Sequence, residues 1–325
     1  MLRWTSPDQV PDLPGSVVTI GNFDGVHRGH QELLRSVVAA AKDRDCLSVV
    51  VTFDPHPLAV HSPAFAPVPI TSRAGREALL EREGVGALLT IEYTLDFAAQ
   101  TAEEFVRRYL VQTLHAHVVV VGRDVRFGKD NEGNLDTMRV LGQKYGFEVV
   151  GVSDVGTERR WSSTWVREAL QHGNVEEAAR VLGRYHSMAG TVVHGFARGR
   201  ELGFPTANLS SDAVGLMPAD GVYAGWLVDQ QGTRWPSAIS IGTNPQFDGV
   251  VRTVEAHVID RPDEAVTAFD LYDQRVQVEF VAHLRGMVAF NGLDALVEQM
   301  HRDVDRAREA LTSEPQAGVE AEAQA

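Results

Sequence analysis

Ser16-Val-Val-Thr-Ile-Gly-Asn-Phe-Asp-Gly-Val-His-Arg-Gly-His30 is the stretch on which the fold turns. Its β-branched run, Ser16 to Ile20, stops at a glycine, and helical spacing takes over from Gln31 to Lys42. Strand, glycine-bearing loop and helix in that order open a βαβ unit. The alternation continues outward. Runs at Leu47 to Phe53, Ala87 to Ile91, Val118 to Gly122 and Glu148 to Val152 predict strands. Helical patterns at Arg73 to Glu83, Ala102 to Leu114 and Leu135 to Tyr145 fall between them. The result is an α/β doubly wound parallel sheet, whose ligands bind beyond the carboxyl ends of the strands. The loop from Gly21 to His30 lies at such an end.

After Gly183 the texture changes. Short runs at Ser187 to Val193, Val222 to Val228, Ser237 to Ile241, Val254 to Ile259 and Val276 to Val281 alternate with glycine- and proline-rich turns. This predicts a small antiparallel barrel or sandwich. A helix is expected over Leu293 to Leu311, then a disordered acidic tail. The expected domains are 1–183, 184–311 and the tail 312–325. A chain of 325 residues exceeds the size at which one core stops growing, so two domains agree with length alone.

Bulk charge excludes whole classes of function. The formal net charge is −14 and no lysine or arginine block occurs. A charge-driven grip on nucleic acid or on an anionic membrane is therefore not expected. No run approaches the ~18 apolar residues of a membrane span, and the first residues lack the charged and apolar regions of a signal peptide. The single cysteine, Cys46, rules out an intrachain disulfide and is expected to be a buried core thiol. A cytoplasmic protein follows, either a monomer or a weak homo-oligomer.

The first loop carries the chemistry. Its glycines let backbone approach a phosphate, and the following helix offers free N–H groups and a positive dipole. His27 and His30, three residues apart around Gly29, can face one phosphate. A P-loop is absent, since Gly128-Lys129 runs into Asp130. The longer pattern G-x-F-D-G-x-H-x-G-H resembles the adenylyltransferase half of prokaryotic bifunctional FAD synthetases. Three further stretches match that family in order: Thr52-Phe-Asp-Pro-His-Pro57, Val121-Gly-Arg-Asp-Val-Arg-Phe-Gly128 and Ser162-Ser-Thr-Trp-Val-Arg167.

The resemblance implies that FMN attacks the α-phosphorus of ATP to give FAD and pyrophosphate. A phosphate nucleophile is already ionised, so the site must align two anions and spread charge. On this reading Gly21, Phe23, Asp24, Gly29, Ser163, Thr164 and Arg167 bind the nucleotide around His27 and His30. Pro55, His56, Pro57, Asp124 and Phe127 border the flavin. Blander roles stay open: Ser162-Ser-Thr also reads as a helix cap, and His56 also reads as part of a rigid turn. His115 and His117 read as surface or packing residues.

The second half carries its own signature, Gly190-Thr-Val-Val-His-Gly-Phe-Ala-Arg-Gly-Arg-Glu-Leu-Gly-Phe-Pro-Thr-Ala-Asn-Leu209. It resembles riboflavin kinase, as do Pro218 to Tyr223, Ser240 to Pro245, Val254 to His257 and Asp270 to Tyr272. That family's six-stranded barrel with a C-terminal helix agrees with the strand pattern. The resemblance implies Glu255 as the base for the ribityl hydroxyl. It also implies Thr206 and Asn208 as oxygen ligands of Mg²⁺; Gly190, Gly195 and Gly199 near the ATP phosphates; and Arg285 near the flavin. Gln246, Asp273 and Met287 depart from the family pattern. A glycine expected at 273 suggests a left-handed backbone, which Asp tolerates better than most residues.

Riboflavin, FMN and ATP are the expected substrates, with FMN and FAD as product ligands. Two alternatives stand beside the bifunctional enzyme. One is an adenylyltransferase with an impaired kinase half. The other is a flavin-binding module, which would have no use for two phosphate clamps.

Overall fold

A computed structural model describes residues 1–153, 155–194, 202–243, 252–260, 271–290 and 292–313. The expected Gly195, Gly199 and Gln246, and all but the start of the tail, lie outside them. The chain divides into two compact units, Met1–Ser163 and Thr164–Ala325.

The first unit is a six-stranded parallel sheet. Its strands are β1 (Leu2–Trp4), β2 (Ser16–Ile20), β3 (Leu47–Asp54), β4 (Ala87–Glu92), β5 (Ala116–Gly122) and β6 (Glu148–Val152), in spatial order β1-β4-β3-β2-β5-β6. Every pairing is parallel. Apolar packing on both faces explains why the strands read as continuous runs. Val18, Val49, Val51 and Val119 join one layer with Phe105, Tyr109 and Met138. On the other side Val17, Val118 and Val120 pack under Val37 and Ala41 of α1 (Arg28–Asp43). From β2 the chain winds outward through β3 and β4, then returns to place β5 on the other flank of β2. That reversal is a switch point, where strand-end loops diverge and leave a crevice.

Two details escaped the periodicity. β1 is an edge strand of three residues, too short for an alternation to register. The expected helix 102–114 begins as α-helix over Ala102–Phe105 and continues over Val106–Thr113 with π winding. The Leu114 N–H donates five residues back, to the Tyr109 carbonyl, at 3.1 Å. Cys46 corrects the expectation of a core thiol: it is only half-buried, with Sγ 3.7 Å from the His117 ring.

The second unit is a closed antiparallel barrel of β7 (His186–Val193), β8 (Ala207–Leu209), β9 (Gly221–Val228), β10 (Arg234–Thr243), β11 (Arg252–Val258) and β12 (Arg275–Arg285). Its order is β10-β11-β8-β7-β12-β9. Strict alternation of buried and half-exposed residues along β7 puts one face into the barrel. Gly225 has a steric reason: a Cβ there would lie 2.0 Å from the Glu279 carbonyl oxygen. The C-terminal helix (Leu293–Thr312) buries Ala307 and Leu311 with Val222, Val281 and Leu284. Asp273 has φ +59°, the left-handed position anticipated from the missing glycine.

Candidate functional site

The loop after β2 is shaped by three left-handed residues, Phe23 (φ 50°), Gly25 (φ 78°) and Val26 (φ 39°). Such conformations cost energy for a β-branched residue. Burial offsets the cost, because Phe23 and Val26 each sit 1% exposed in a cluster with Leu34 and Val50. The turn delivers His27 to the N-cap of α1, where its Nδ1 accepts from the His30 N–H at 3.3 Å. An accepting Nδ1 carries no proton, so the neutral ring bears its hydrogen on Nε2.

The rings of His27 and His30 stack at 3.7 Å between centroids, tilted by 20°. Gly29 permits this approach: a Cβ there would meet the His27 ring at 3.2 Å and the Trp161 carbonyl at 3.3 Å. Burial, then the charges of His27 and Arg160, hold the His30 pKa well below 6.5. His30 is thus neutral near pH 7. Its Nδ1 is shut off from solvent and has no hydrogen-bond partner among the described residues.

These rings open onto a cleft of about 760 Å³ at the switch point, between the loops that follow β2 and β5. Of the residues expected from sequence, Gly21, Phe23, His27, Gly29, His30, His56, Pro57, Asp124 and Phe127 border it. His56 does shape a turn, since its Nδ1 accepts from the Leu58 N–H at 3.2 Å. Its Nε2 meets the Asn22 side chain at 3.1 Å. Pro55, Asp24 and Ser163 do not border the cleft. The Asp24 carboxylate accepts from the Ile70 N–H at 3.0 and 3.1 Å and from the Thr71 N–H at 3.3 Å. Ser163, first residue of the helix α7 (Ser163–Gln171), donates to the Asp24 carbonyl at 2.8 Å. Both therefore brace the loop after β2. Thr164 and Arg167 follow on α7, in the second unit.

Several lining residues were not singled out beforehand. Arg160 pairs with Asp124 at 2.5 Å. Phe53, Tyr93 and Phe97 form an aromatic wall with centroids 5.3 to 5.7 Å apart. Arg160 sits just before Ser162-Ser-Thr, and that position was a usable signal. The wall draws on the end of β3 and on the segment after β4, and nothing local marks it.

The barrel assembles a second site from three stretches of sequence. Glu255 on β11 pairs in register with Asn208 on β8 and with Ser240 on β10. Burial raises the Glu255 pKa, and a hydrogen bond from the Thr206 hydroxyl partly counters it. Asn208 Nδ2 lies 3.3 Å from both the Thr206 carbonyl and hydroxyl oxygens. Its amide oxygen is thereby turned away from them. Glu255, Thr206 and Asn208 thus form one cluster of oxygen donors.

Other expected residues stand apart from that cluster. Gly190 lies mid-strand on β7, where a Cβ would come 2.9 Å from Ala213 Cβ; its small size serves packing. The Arg285 guanidinium grips the buried Asp303 carboxylate through Nε at 2.9 and 3.1 Å and Nη2 at 2.6 Å.

Each unit thus carries a candidate site: a histidine-lined cleft in the first, and a carboxylate clustered with hydroxyl and amide groups in the second. Residues 9–165 match the family model described as FAD synthetase, and residues 182–311 the one described as riboflavin kinase. The chain is 36% identical over 298 residues to the bifunctional riboflavin kinase/FMN adenylyltransferase of Escherichia coli (strain K12), covering 91% of this chain and 92% of that one. With the Pseudomonas fluorescens protein of the same description it shares 38% over 300 residues, 92% and 94% of the two chains. A solved structure described as a macrolide-efflux protein from Streptococcus pneumoniae aligns with TM-score 0.84 and 34% identity over 94% of this chain and 98% of that one. No helix among the described residues here is long and apolar enough to cross a membrane.

The chain belongs to the bifunctional riboflavin kinase/FMN adenylyltransferase family. It phosphorylates riboflavin to FMN with ATP and transfers an adenylyl group from ATP to FMN, giving FAD. Both halves being present, the bifunctional reading stands over an adenylyltransferase alone.

Proposed function

We propose that adenylyl transfer takes place in the cleft of the first unit, with His27 and His30 as donors to the ATP phosphates. An FMN phosphate oxygen attacks the α-phosphorus, the bond to the bridging oxygen breaks, and pyrophosphate leaves without proton transfer. Gly21 and Gly29 let backbone approach the triphosphate, Phe23 holds the loop, and Asp24 and Ser163 fix its position. Thr164 and Arg167 are assigned to the β- and γ-phosphates from the match of Ser162-Ser-Thr-Trp-Val-Arg167 to the family motif. The isoalloxazine is assigned to the wall of Phe53, Tyr93 and Phe97, with Pro55, His56, Pro57, Asp124 and Phe127 at its margin. What supports this reading is that both histidines line the cleft at the start of α1, where free N–H groups and the positive helix end suit a phosphate. His30→Ala is expected to lower FAD formation from FMN by about 10²-fold or more and to spare FMN formation; equal loss of both would sink it.

Phosphorylation is assigned to the Glu255 cluster. The terminal ribityl oxygen attacks the γ-phosphorus, the bond to the bridging oxygen breaks, ADP leaves, and Glu255 takes the hydroxyl proton. A raised pKa suits a base that must stay ionised yet accept a proton. The hydroxyl of Thr206 and the outward amide oxygen of Asn208 are hard donors, and such a donor set fits Mg²⁺. When bound there, Mg²⁺ offsets the charge of the ATP phosphates. Arg285 is assigned to shaping the flavin side through its hold on Asp303, and Gly195 and Gly199 to the ATP phosphates. Glu255→Gln is expected to remove riboflavin phosphorylation while FAD synthesis from supplied FMN continues.

The catalytic halves are assigned to 1–183 and 184–311, consistent with family matches that end at 165 and begin at 182. A cytoplasmic location accords with the substrates and with the absence of a spanning helix among the described residues.

A further inference from the structure

We infer that His257 is a positioning residue for riboflavin phosphorylation, holding the Pro205–Thr206 peptide so that the Thr206 hydroxyl faces Glu255. The inference rests on the assignment of Glu255, Thr206 and Asn208 to the kinase site.

Three observations carry it. First, His257 lies two residues beyond Glu255 on β11, so strand periodicity puts both side chains on one face. Across the ladder, β8 contributes only Ala207 opposite Ala256 and Asn208 opposite Glu255. Thr206 is therefore just past the last ladder pair, and the sheet does not fix its backbone. Second, His257 Nδ1 lies 2.9 Å from the Pro205 carbonyl oxygen. A carbonyl only accepts, so Nδ1 carries the proton and donates. This bond fixes the peptide that joins Pro205 to Thr206, taking the place of the missing ladder bond. Third, the ring is itself wedged. Phe204 is 6% exposed and packs edge-on between His257, at 5.2 Å, and His301 of the C-terminal helix, at 4.9 Å.

The chain of contacts runs from the C-terminal helix through Phe204 and His257 to Pro205, and from Thr206 to Glu255. Without the Nδ1 donor, the Pro205 carbonyl loses its partner and Thr206 gains freedom about its backbone. The hydroxyl then spends less time where it can bond Glu255 or face a phosphate-bound cation. His257 itself touches no reacting atom in this scheme, so its loss slows turnover and weakens Mg²⁺–nucleotide binding without abolishing either.

The test uses the full chain and three variants. His257→Asn places an amide N–H where Nδ1 lies; His257→Gln carries its amide one bond further out; His257→Leu has no donor. Riboflavin phosphorylation is followed by kcat and by KM for Mg²⁺–ATP, and Mg²⁺–ADP affinity is measured by calorimetry. His257→Leu and His257→Gln are expected to lose about tenfold in kcat/KM and in Mg²⁺–ADP affinity, the scale of one hydrogen bond to an otherwise unsatisfied group. His257→Asn is expected to stay within about threefold of the parent chain on the same scale. FAD synthesis from supplied FMN serves as the folding control. Equal behaviour of Asn and Gln, or a Leu variant matching the parent, overturns the inference. If Leu fails to fold, the Asn–Gln contrast still decides. Glu255→Gln runs alongside: if it keeps full kinase turnover, the site assignment fails first.

Discussion

A buried histidine in the barrel makes stability sensitive to acid. His186 opens β7 at 1% exposure, stacked on Phe280 with centroids 5.9 Å apart. Its Nε2 donates to the Leu216 carbonyl at 2.6 Å. Burial pushes its pKa from 6.5 down to about 4; the bond to Leu216 opposes the shift and the Arg184 charge adds to it. The folded barrel thus refuses a proton that the unfolded chain accepts. Below pH 6.5 the unfolded state gains that proton, and the folded state gains it only near 4. Stability therefore falls as pH drops across this window, and is unaffected by His186 above it. At 1.36 kcal/mol per pKa unit, the contribution lost between about pH 7.5 and about pH 4.5 is on the order of 2.5 kcal/mol. Urea unfolding of the full chain at both pH values, followed by tryptophan fluorescence, measures it. His186→Gln keeps an N–H donor near the Leu216 carbonyl and does not titrate. The parent should lose about 2.5 kcal/mol more than this variant on acidification, all other groups cancelling. Identical pH slopes for the two proteins would refute the reasoning.

Further perturbations test other links. Asp303→Ala strands the Arg285 guanidinium, whose side chain is 18% exposed; calorimetric unfolding should register a loss of about 3–5 kcal/mol. Replacing the pair together, Asp303→Leu with Arg285→Met, should recover much of it; no recovery would mean that the ion pair is not the source. Asp273→Val forces a β-branched residue to φ +59° and should cost about 1–2 kcal/mol in urea, while Asp273→Gly costs little. Gly225→Ala sets a methyl against the Glu279 carbonyl and Ile239 Cδ1, 2.0 and 2.4 Å away. A soluble variant with parental Tm would show that the bulge beside Phe280 absorbs it.

Much of this chain was open to reading from sequence because its signals are local. Periodicity sets strand and helix, so the βαβ alternation, the antiparallel second half and the last helix appear where residues 1–311 predict them. The first loop was legible for the same reason: its glycines, its histidine spacing and the helix that follows are contiguous. Asp273 is a further case, since a backbone preference belongs to one residue and its own φ.

What periodicity could not reach was who meets whom. Asp24 looks like a nucleotide ligand in its motif, yet its carboxylate is taken by the Ile70 and Thr71 N–H groups from a distant loop. Gly190 reads as a phosphate-loop glycine and proves to be a packing glycine against Ala213. Arg285 faces Asp303, a partner on another element. The aromatic wall of Phe53, Tyr93 and Phe97 and the His257–Pro205 bond are likewise products of long-range closure. Sequence alone determined the two folds, the family and the chemistry each half performs, because those follow from local pattern and motif. Tertiary structure alone decided which polar groups stay available to a substrate and which are spent on the scaffold. Hydrogen-bond partners are settled only when segments remote in the chain are packed together, since each buried donor and acceptor must then find a partner among whatever the fold has brought near.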